Sequence, residues 1–244
     1  MTHRTNEFDQ PIGLPLIGWW PPPVPRKETL QGRFCRVEPL AIDAHLEALY
    51  DAISRDKEGR SWTYLAYGPF PNIDDYRAWI TATCLGDTPI FFAIVDEKTG
   101  KAVGVASYLN IVANNGSIEV GHIHYSPLLQ QTPAATEAMF LLMRQAFELG
   151  YRRYEWKCDN FNTASKAAAQ RLGLSYEGIF RQAVVYNTRN RDTAWFAAID
   201  GEWPALNEAF ETWLAPENFD AEGRQRVKLS DLTRPIREDG PAGL

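Results

Sequence analysis

Cysteine is scarce in this chain: 244 residues contain three, Cys35, Cys84 and Cys158. They lie far apart without CxxC spacing, which suggests neither a disulfide scaffold nor a zinc site and fits a reducing cytoplasm. Long apolar runs are missing as well. The strongest, residues 90–95 and 139–143, fall far short of the roughly 18 residues needed to span a bilayer. Residues 1–10 are polar and charged, without the apolar stretch of a secretory signal. Positive charge is also in deficit, with 25 Lys and Arg against 31 Asp and Glu, a net charge of −6. That balance argues against non-specific nucleic-acid binding, which rests on cationic side chains neutralising phosphates. No repeat of solenoid length is visible. The expectation is a soluble, cytoplasmic protein that works on neither a membrane nor nucleic acid.

What is present is ordinary globular composition, 45% hydrophobic and 23% charged, enough for one α/β domain with extensions. Residues 1–31 read as an N-terminal extension. There Trp19-Trp20 precede Pro21-Pro22-Pro23, a stretch whose fixed φ and missing N–H groups exclude helix and central strand. The two Trp rings pin this arm onto the domain, or the arm binds a partner as a polyproline segment. Residues 32–200 read as the domain, and residues 201–244 as a C-terminal helix followed by an extended, loosely held tail.

Within the domain, periodicity predicts a strand over 33–38, helices over 41–53 and 71–85, and β-rich runs at 90–95, 102–111 and 117–125. Hairpin-type turns separate those three runs into an antiparallel meander. Thr132-Pro133 opens a helix that Gly150 closes, since Thr caps well and Pro suits the first turn. A strand over 152–158, a helix over 162–172, strands over 176–186 and 193–199 and a helix over 203–214 complete the order.

Two segments carry chemistry. Gln130-Gln131-Thr132-Pro133-Ala134-Ala135-Thr136-Glu137-Ala138 joins a strand to a helix whose first N–H groups lack intrahelical partners, a natural place for an anion. Small residues there let a pyrophosphate approach the backbone, although a capped helix with an Ala-rich first turn is also simply common. Further on stand Asn162-Thr163-Ala164-Ser165 and Arg171-Leu172-Gly173-Leu174-Ser175-Tyr176-Glu177-Gly178. Together with the element order, these segments resemble the GNAT N-acetyltransferase superfamily over roughly residues 32–200. The first looks like its acyl-coenzyme A signature, Arg/Gln-x-x-Gly-x-Gly/Ala. The second resembles the Asn-x-x-Ser and Leu-Gly-Phe-x-x-Glu-Gly pattern of the branch containing ribosomal-protein alanine acetyltransferases. Pro133 departs from the central Gly of the signature, adding a ring near the phosphates and deleting an N–H donor.

The resemblance implies a mixed, mostly antiparallel α/β (α+β) fold flanked by helices and direct acetyl transfer from acetyl-CoA to a primary amine. It implies that Gln130, Pro133, Ala134, Ala135 and Thr136 hold the pyrophosphate. Backbone groups of Ile123, His124 and Tyr125 would hold the pantetheine and the carbonyl oxygen, and Asn162 the pantetheine amide. Ser165 would protonate the leaving thiolate. Glu119 stands where related enzymes carry a carboxylate and would deprotonate the amine through a water, or it is a strand Glu paired with a cation. His122 and His124 fall on the opposite strand face from Glu119 if the strand is regular, and a bulge would change that parity. Trp62, Tyr64, Tyr67 and Phe70 lie in the loop that covers the amine side in this family, as a wall for the acceptor or as core packing.

An α-amine with pKa near 8 loses only about 1.4 kcal/mol to deprotonation at pH 7, against about 4.6 for a lysine amine. A water-relayed base therefore favours α-amines. The net charge of −6 opposes docking on the anionic ribosome, so a small-molecule amine ranks first as acceptor. A peptide N-terminus is the alternative, and a non-catalytic acyl-CoA-binding module the alternative from another class. A homodimer is left open and no metal is expected.

Overall fold

The computed structural model describes residues 3–239. Two short strands, β1 (Arg4–Thr5) and β2 (Pro11–Ile12), pair with each other ahead of the domain. The domain is built on a sheet that comprises, among the described residues, eight strands. These are β3 (Leu30–Gln31), β4 (Cys35–Pro39), β5 (Ile90–Asp96), β6 (Lys101–Val112), β7 (Ser117–Tyr125), β8 (Arg153–Asp159), β9 (Ser175–Tyr186) and β10 (Arg189–Ile199). Their spatial order is β3-β4-β5-β6-β7-β8-β10-β9. Every pairing is antiparallel except β7 with β8, which is parallel. The expected mixed sheet with an antiparallel meander is present.

Helices cover the two faces unequally. One face packs against α3 (Pro133–Glu148), α4 (Thr163–Arg171) and α5 (Trp203–Leu214). On it the even-numbered residues Ile118 and Val120 of β7 and Tyr154 and Trp156 of β8 are buried, as the period of two requires. The other face is covered by α1 (Ile42–Ile53) and α2 (Ile73–Trp79) over Phe91, Ala93 and Val105. On this second face the polar odd-numbered side chains of β7 and β8 gather.

Local chemistry explains the helix that matters most. The Thr132 side chain accepts from the Ala135 N–H and Pro133 occupies the first turn of α3, as the sequence predicts. Glu137, 4% exposed, accepts hydrogen bonds from the backbone N–H groups of Arg33, Phe34 and Cys35 at 2.9, 2.6 and 2.9 Å. A side chain in a signature-like segment is thus a structural clamp between α3 and the start of the sheet.

The termini differ from expectation. Trp19 lies against Gly116, where a Cβ would meet its ring, and beneath the Arg152 guanidinium, but Trp20 is 82% exposed. The arm is held by Trp19, by Pro23, whose carbonyl accepts from the Tyr151 hydroxyl, and by Glu28, which accepts from Gln145. The charged composition beyond residue 216 predicts an extended tail, whereas the chain folds back. Helix α6 (Leu229–Thr233) buries Leu229 and Thr233 fully, and the Thr233 hydroxyl donates to the Arg171 carbonyl. Two well-placed anchors outweigh a polar average.

Candidate active site

Strands β7 and β8 pair only from Ser117 with Arg153 to Val120 with Trp156. Beyond Val120 they diverge, so the β8-facing edge of residues 121–125 has no strand partner. Ile123, His124 and Tyr125, expected to supply backbone hydrogen bonds, all lie in this opened stretch. Below the opening stand the N-termini of α3 and α4. Between them is a cleft of about 790 Å³ whose lining includes Tyr125, Gln130, Pro133, Ala135, Thr136 and Trp156.

The strand is not regular. The pairing of β7 with β6 slips between Ser107–Gly121 and Val105–His124, and His122 adopts φ of 50°. This β-bulge inserts one residue and reverses the side-chain parity after Gly121. Glu119, Gly121 and His124 therefore share a face, where a regular strand would have separated Glu119 from both histidines.

Glu119 is nearly enclosed. Its Oε2 accepts from Lys157 Nζ at 2.7 Å and Asn110 Nδ2 at 2.6 Å, while Lys157 also contacts Glu155 at 3.0 Å and lies over the Trp195 ring. Glu119 is thus paired with a cation, its carboxylate lying beside the opening of the sheet. His124 is 3% exposed and stacks on Trp62 with ring centroids 3.7 Å apart. Its Nε2 lies 2.9 Å from the Ser61 Oγ, and Ser61 in turn donates to Asp56 at 2.6 Å. Because the Ser61 hydroxyl proton is committed to Asp56, His124 Nε2 carries the hydrogen of that bond. Burial pushes the His124 pKa down to about 4, against the partly offsetting Asp56 charge. Burial works to raise the Asp56 carboxyl, but bonds from the Ser61 hydroxyl and from backbone N–H groups outweigh it and hold it low. His122 is hydrogen-bonded to the Tyr67 hydroxyl at 3.0 Å, and burial lowers its pKa.

The aromatic loop lies over this face. Trp62, Tyr67 and Phe70 pack with Tyr76 and Trp79 into one cluster, Tyr67 stacking on Trp79 at 4.5 Å. Trp62 is buried, so its packing role is realised, while Tyr64 stands apart and donates to the Phe161 carbonyl. The loop is tied down from the far side too: Arg189 donates to the Thr63 carbonyl at 2.9 Å and Asn187 to the Leu65 carbonyl at 3.2 Å.

On the other side of the opening, Asn162 caps α4 by accepting from the Ser165 N–H, and Ser165 Oγ accepts from Trp156 Nε1 at 3.0 Å. The Ser165 hydroxyl stands at a helix N-terminus, where negative charge is stabilised, with the Cys158 thiol as a second neighbour. Gln130 donates to the Tyr125 carbonyl, which fixes the loop into α3 and occupies the side chain that was expected to hold phosphate. Residues the sequence did not single out complete the site: Lys157, Asn110, Asp56 and Ser61 here, and Arg171, Trp213 and Phe219 along the cleft. Only the alternation of charge along β8 signalled Lys157; the rest come from elements distant in sequence.

Splayed strands above a long cleft with a helix N-terminus at its mouth suit the donor of an acyl-CoA-dependent acyltransferase. Residues 36–175 match the acetyltransferase (GNAT) domain family, and the chain belongs to that family. A GCN5-related N-acetyltransferase from Brucella melitensis is 44% identical, covering 90% of this chain and all of its own, with a TM-score of 0.87. A probable GNAT acetyltransferase from Chromobacterium violaceum is 39% identical over 80% of this chain and 98% of its own, TM-score 0.75. The microcin C7 self-immunity acetyltransferase MccE, solved with acetyl-CoA and AMP, shares the fold at 21% identity, covering 72% of this chain and 98% of its own, TM-score 0.62. No curated protein sequence matches the chain. The protein is an acetyl-CoA-dependent acetyltransferase, and the cleft, with a small residue at Ala135 and the open strand edge above it, fits that donor; Ala134, expected at the pyrophosphate, is instead buried outside the cleft lining, its carbonyl accepting from the Cys35 thiol.

Proposed function

We propose that the protein transfers acetyl from acetyl-CoA to the primary amine of a small molecule. The observation that carries this reading is the closure of the acceptor side. The loop carrying Trp62, Tyr64, Tyr67 and Phe70 is bonded to the hairpin of β9 and β10 through Arg189 and Asn187 and to the start of α4 through Tyr64. A rim fastened at three points favours a compact acceptor over an extended peptide, and the acidic net charge supports the same choice.

Acetyl-CoA supplies the acetyl thioester. Glu119 receives the proton of the attacking amine nitrogen through a water, with Lys157 and Asn110 fixing the carboxylate in place. N–H groups of the opened stretch at residues 123–125 stabilise the developing oxyanion. Ser165 relays a proton to the departing sulfur, passing on its own hydroxyl proton as solvent returns one to its oxygen, and the positive end of α4 favours the thiolate. Neutral His124, bonded to Ser61 and stacked on Trp62, locks the acceptor loop to the bulged strand.

The test is thiol release measured over small α-amines, α-amine peptides and lysine-ε peptides. The reading predicts the highest kcat/KM for small α-amines. Faster turnover of peptide N-termini would replace it with the protein acetyltransferase alternative, and turnover of none would favour an acyl-CoA-binding module.

A further inference from the structure

The phosphate end of the donor cleft is short of backbone donors. An anion at a helix N-terminus is ordinarily held by several free N–H groups. Here Pro133 has none, and the Ala135 N–H is taken by the Thr132 side chain. In the preceding loop the N–H groups of Leu129 and Gln130 bond to the Ser126 carbonyl and that of Thr132 to Leu129. Most of the usual cradle is therefore committed before a ligand arrives.

A cation stands in the same place. Arg171, the last residue of α4, reaches across the cleft and donates from Nη1 to Thr136 Oγ1 in the first turn of α3 at 2.9 Å. Its guanidinium lies 5.1 Å from the Trp213 ring, and it makes no ion pair with any acid among the described residues. Burial alone pulls its pKa down, the mark of a charge without a counter-ion. The second arginine along the cleft, Arg224, is different, because Asp220 and Glu222 already neutralise it. A largely buried guanidinium is costly unless a counter-charge completes it, and its planar fork suits a phosphate.

We propose that Arg171 anchors the diphosphate of acetyl-CoA, replacing with a side-chain charge the backbone donor that Pro133 deletes. The assignment rests on acetyl-CoA as the donor. Its Thr136 contact places the guanidinium at the N-terminus of α3, the end of the cleft where a helix dipole favours an anion, and Trp213, outside residues 36–175 of the family match, backs it.

Isothermal titration of the full chain with CoA and with dephospho-CoA, which lacks the 3′-phosphate, tests this. Arg171→Met is expected to weaken both ligands by the same factor, tenfold or more, while its ligand-free melting temperature stays level or rises. Arg171→Lys should recover part of the loss. Pro133→Gly, by restoring one N–H, should shrink the penalty of Arg171→Met. Unchanged CoA affinity overturns the proposal, as does a loss seen with CoA and absent with dephospho-CoA, which would assign Arg171 to the 3′-phosphate. A lowered melting temperature in ligand-free Arg171→Met overturns it in favour of a structural role. Failure of the unaltered chain to bind CoA would instead refute the donor itself.

Discussion

Replacing Glu137 separates a structural carboxylate from a catalytic one. Glu137 is 4% exposed and one oxygen accepts from Arg33 N–H while the other accepts from both Phe34 and Cys35. In Glu137→Gln the better amide orientation keeps the carbonyl oxygen on the pair Phe34 and Cys35 and turns the NH₂ toward the Arg33 donor. One charge-assisted bond is lost and the other two weaken to neutral ones. At about 1.5–3 kcal/mol for a bond to a charged group and about 1 for a neutral one, the expected cost is about 2–4 kcal/mol. Glu137→Ala strands all three donors and should cost about 3–6 kcal/mol. Chemical denaturation reads both values, and in a chain this long each kcal/mol also lowers Tm by about 2–4 °C. Turnover of the Gln variant, assayed well below its Tm, should remain near that of the parent. A Gln variant as stable as the parent but without turnover would refute the clamp and put Glu137 in the chemistry.

Other expectations follow from the same geometry. Glu119→Gln should cut kcat by about 10²-fold or more with the acetyl-CoA KM little changed, a split that thiol-release kinetics resolves; unchanged kcat would remove Glu119 from the mechanism. Because His124 is pushed down to about 4 in the folded protein against about 6.5 unfolded, the unfolded chain binds the extra proton between these values. Its neutral form therefore contributes nothing extra above pH 6.5, and stability falls as pH drops from 6.5 toward 4, by about 3 kcal/mol in total. Denaturation at pH 7.5, 5.5 and 4.5 should show a shallower decline in His124→Gln, and equal slopes would contradict the burial argument. Trp19→Ala should destabilise measurably by freeing the arm, whereas Trp20→Ala, at a position 82% exposed, should stay within about 0.5 kcal/mol of the parent.

The sheet, the meander, the capped helix α3 and the helix over residues 203–214 were legible because each rests on local pattern: alternation, turn residues, a Thr-Pro start. The choice of Glu119, Ser165 and Asn162 as candidates came from resemblance to the family. The shared face of Glu119 and His124 was not readable, since one bulged residue at 121–124 reverses parity without altering the alternation of residue types. Nor was the folded tail, whose few apolar anchors, Leu229 foremost, sit in a charged segment. The far wall of the cleft escaped for a related reason. Arg171 stood inside a quoted motif as a helix ending, and only the chain's return brings Trp213 and Phe219 over it.

The central claim is that the cleft below the splayed strands holds acetyl-CoA, and isothermal titration of the purified chain with acetyl-CoA tests it most directly. The account predicts one site per chain with a micromolar Kd, competed by CoA. Absence of binding at millimolar acetyl-CoA would mean that Pro133 has closed the phosphate end, and would contradict the account.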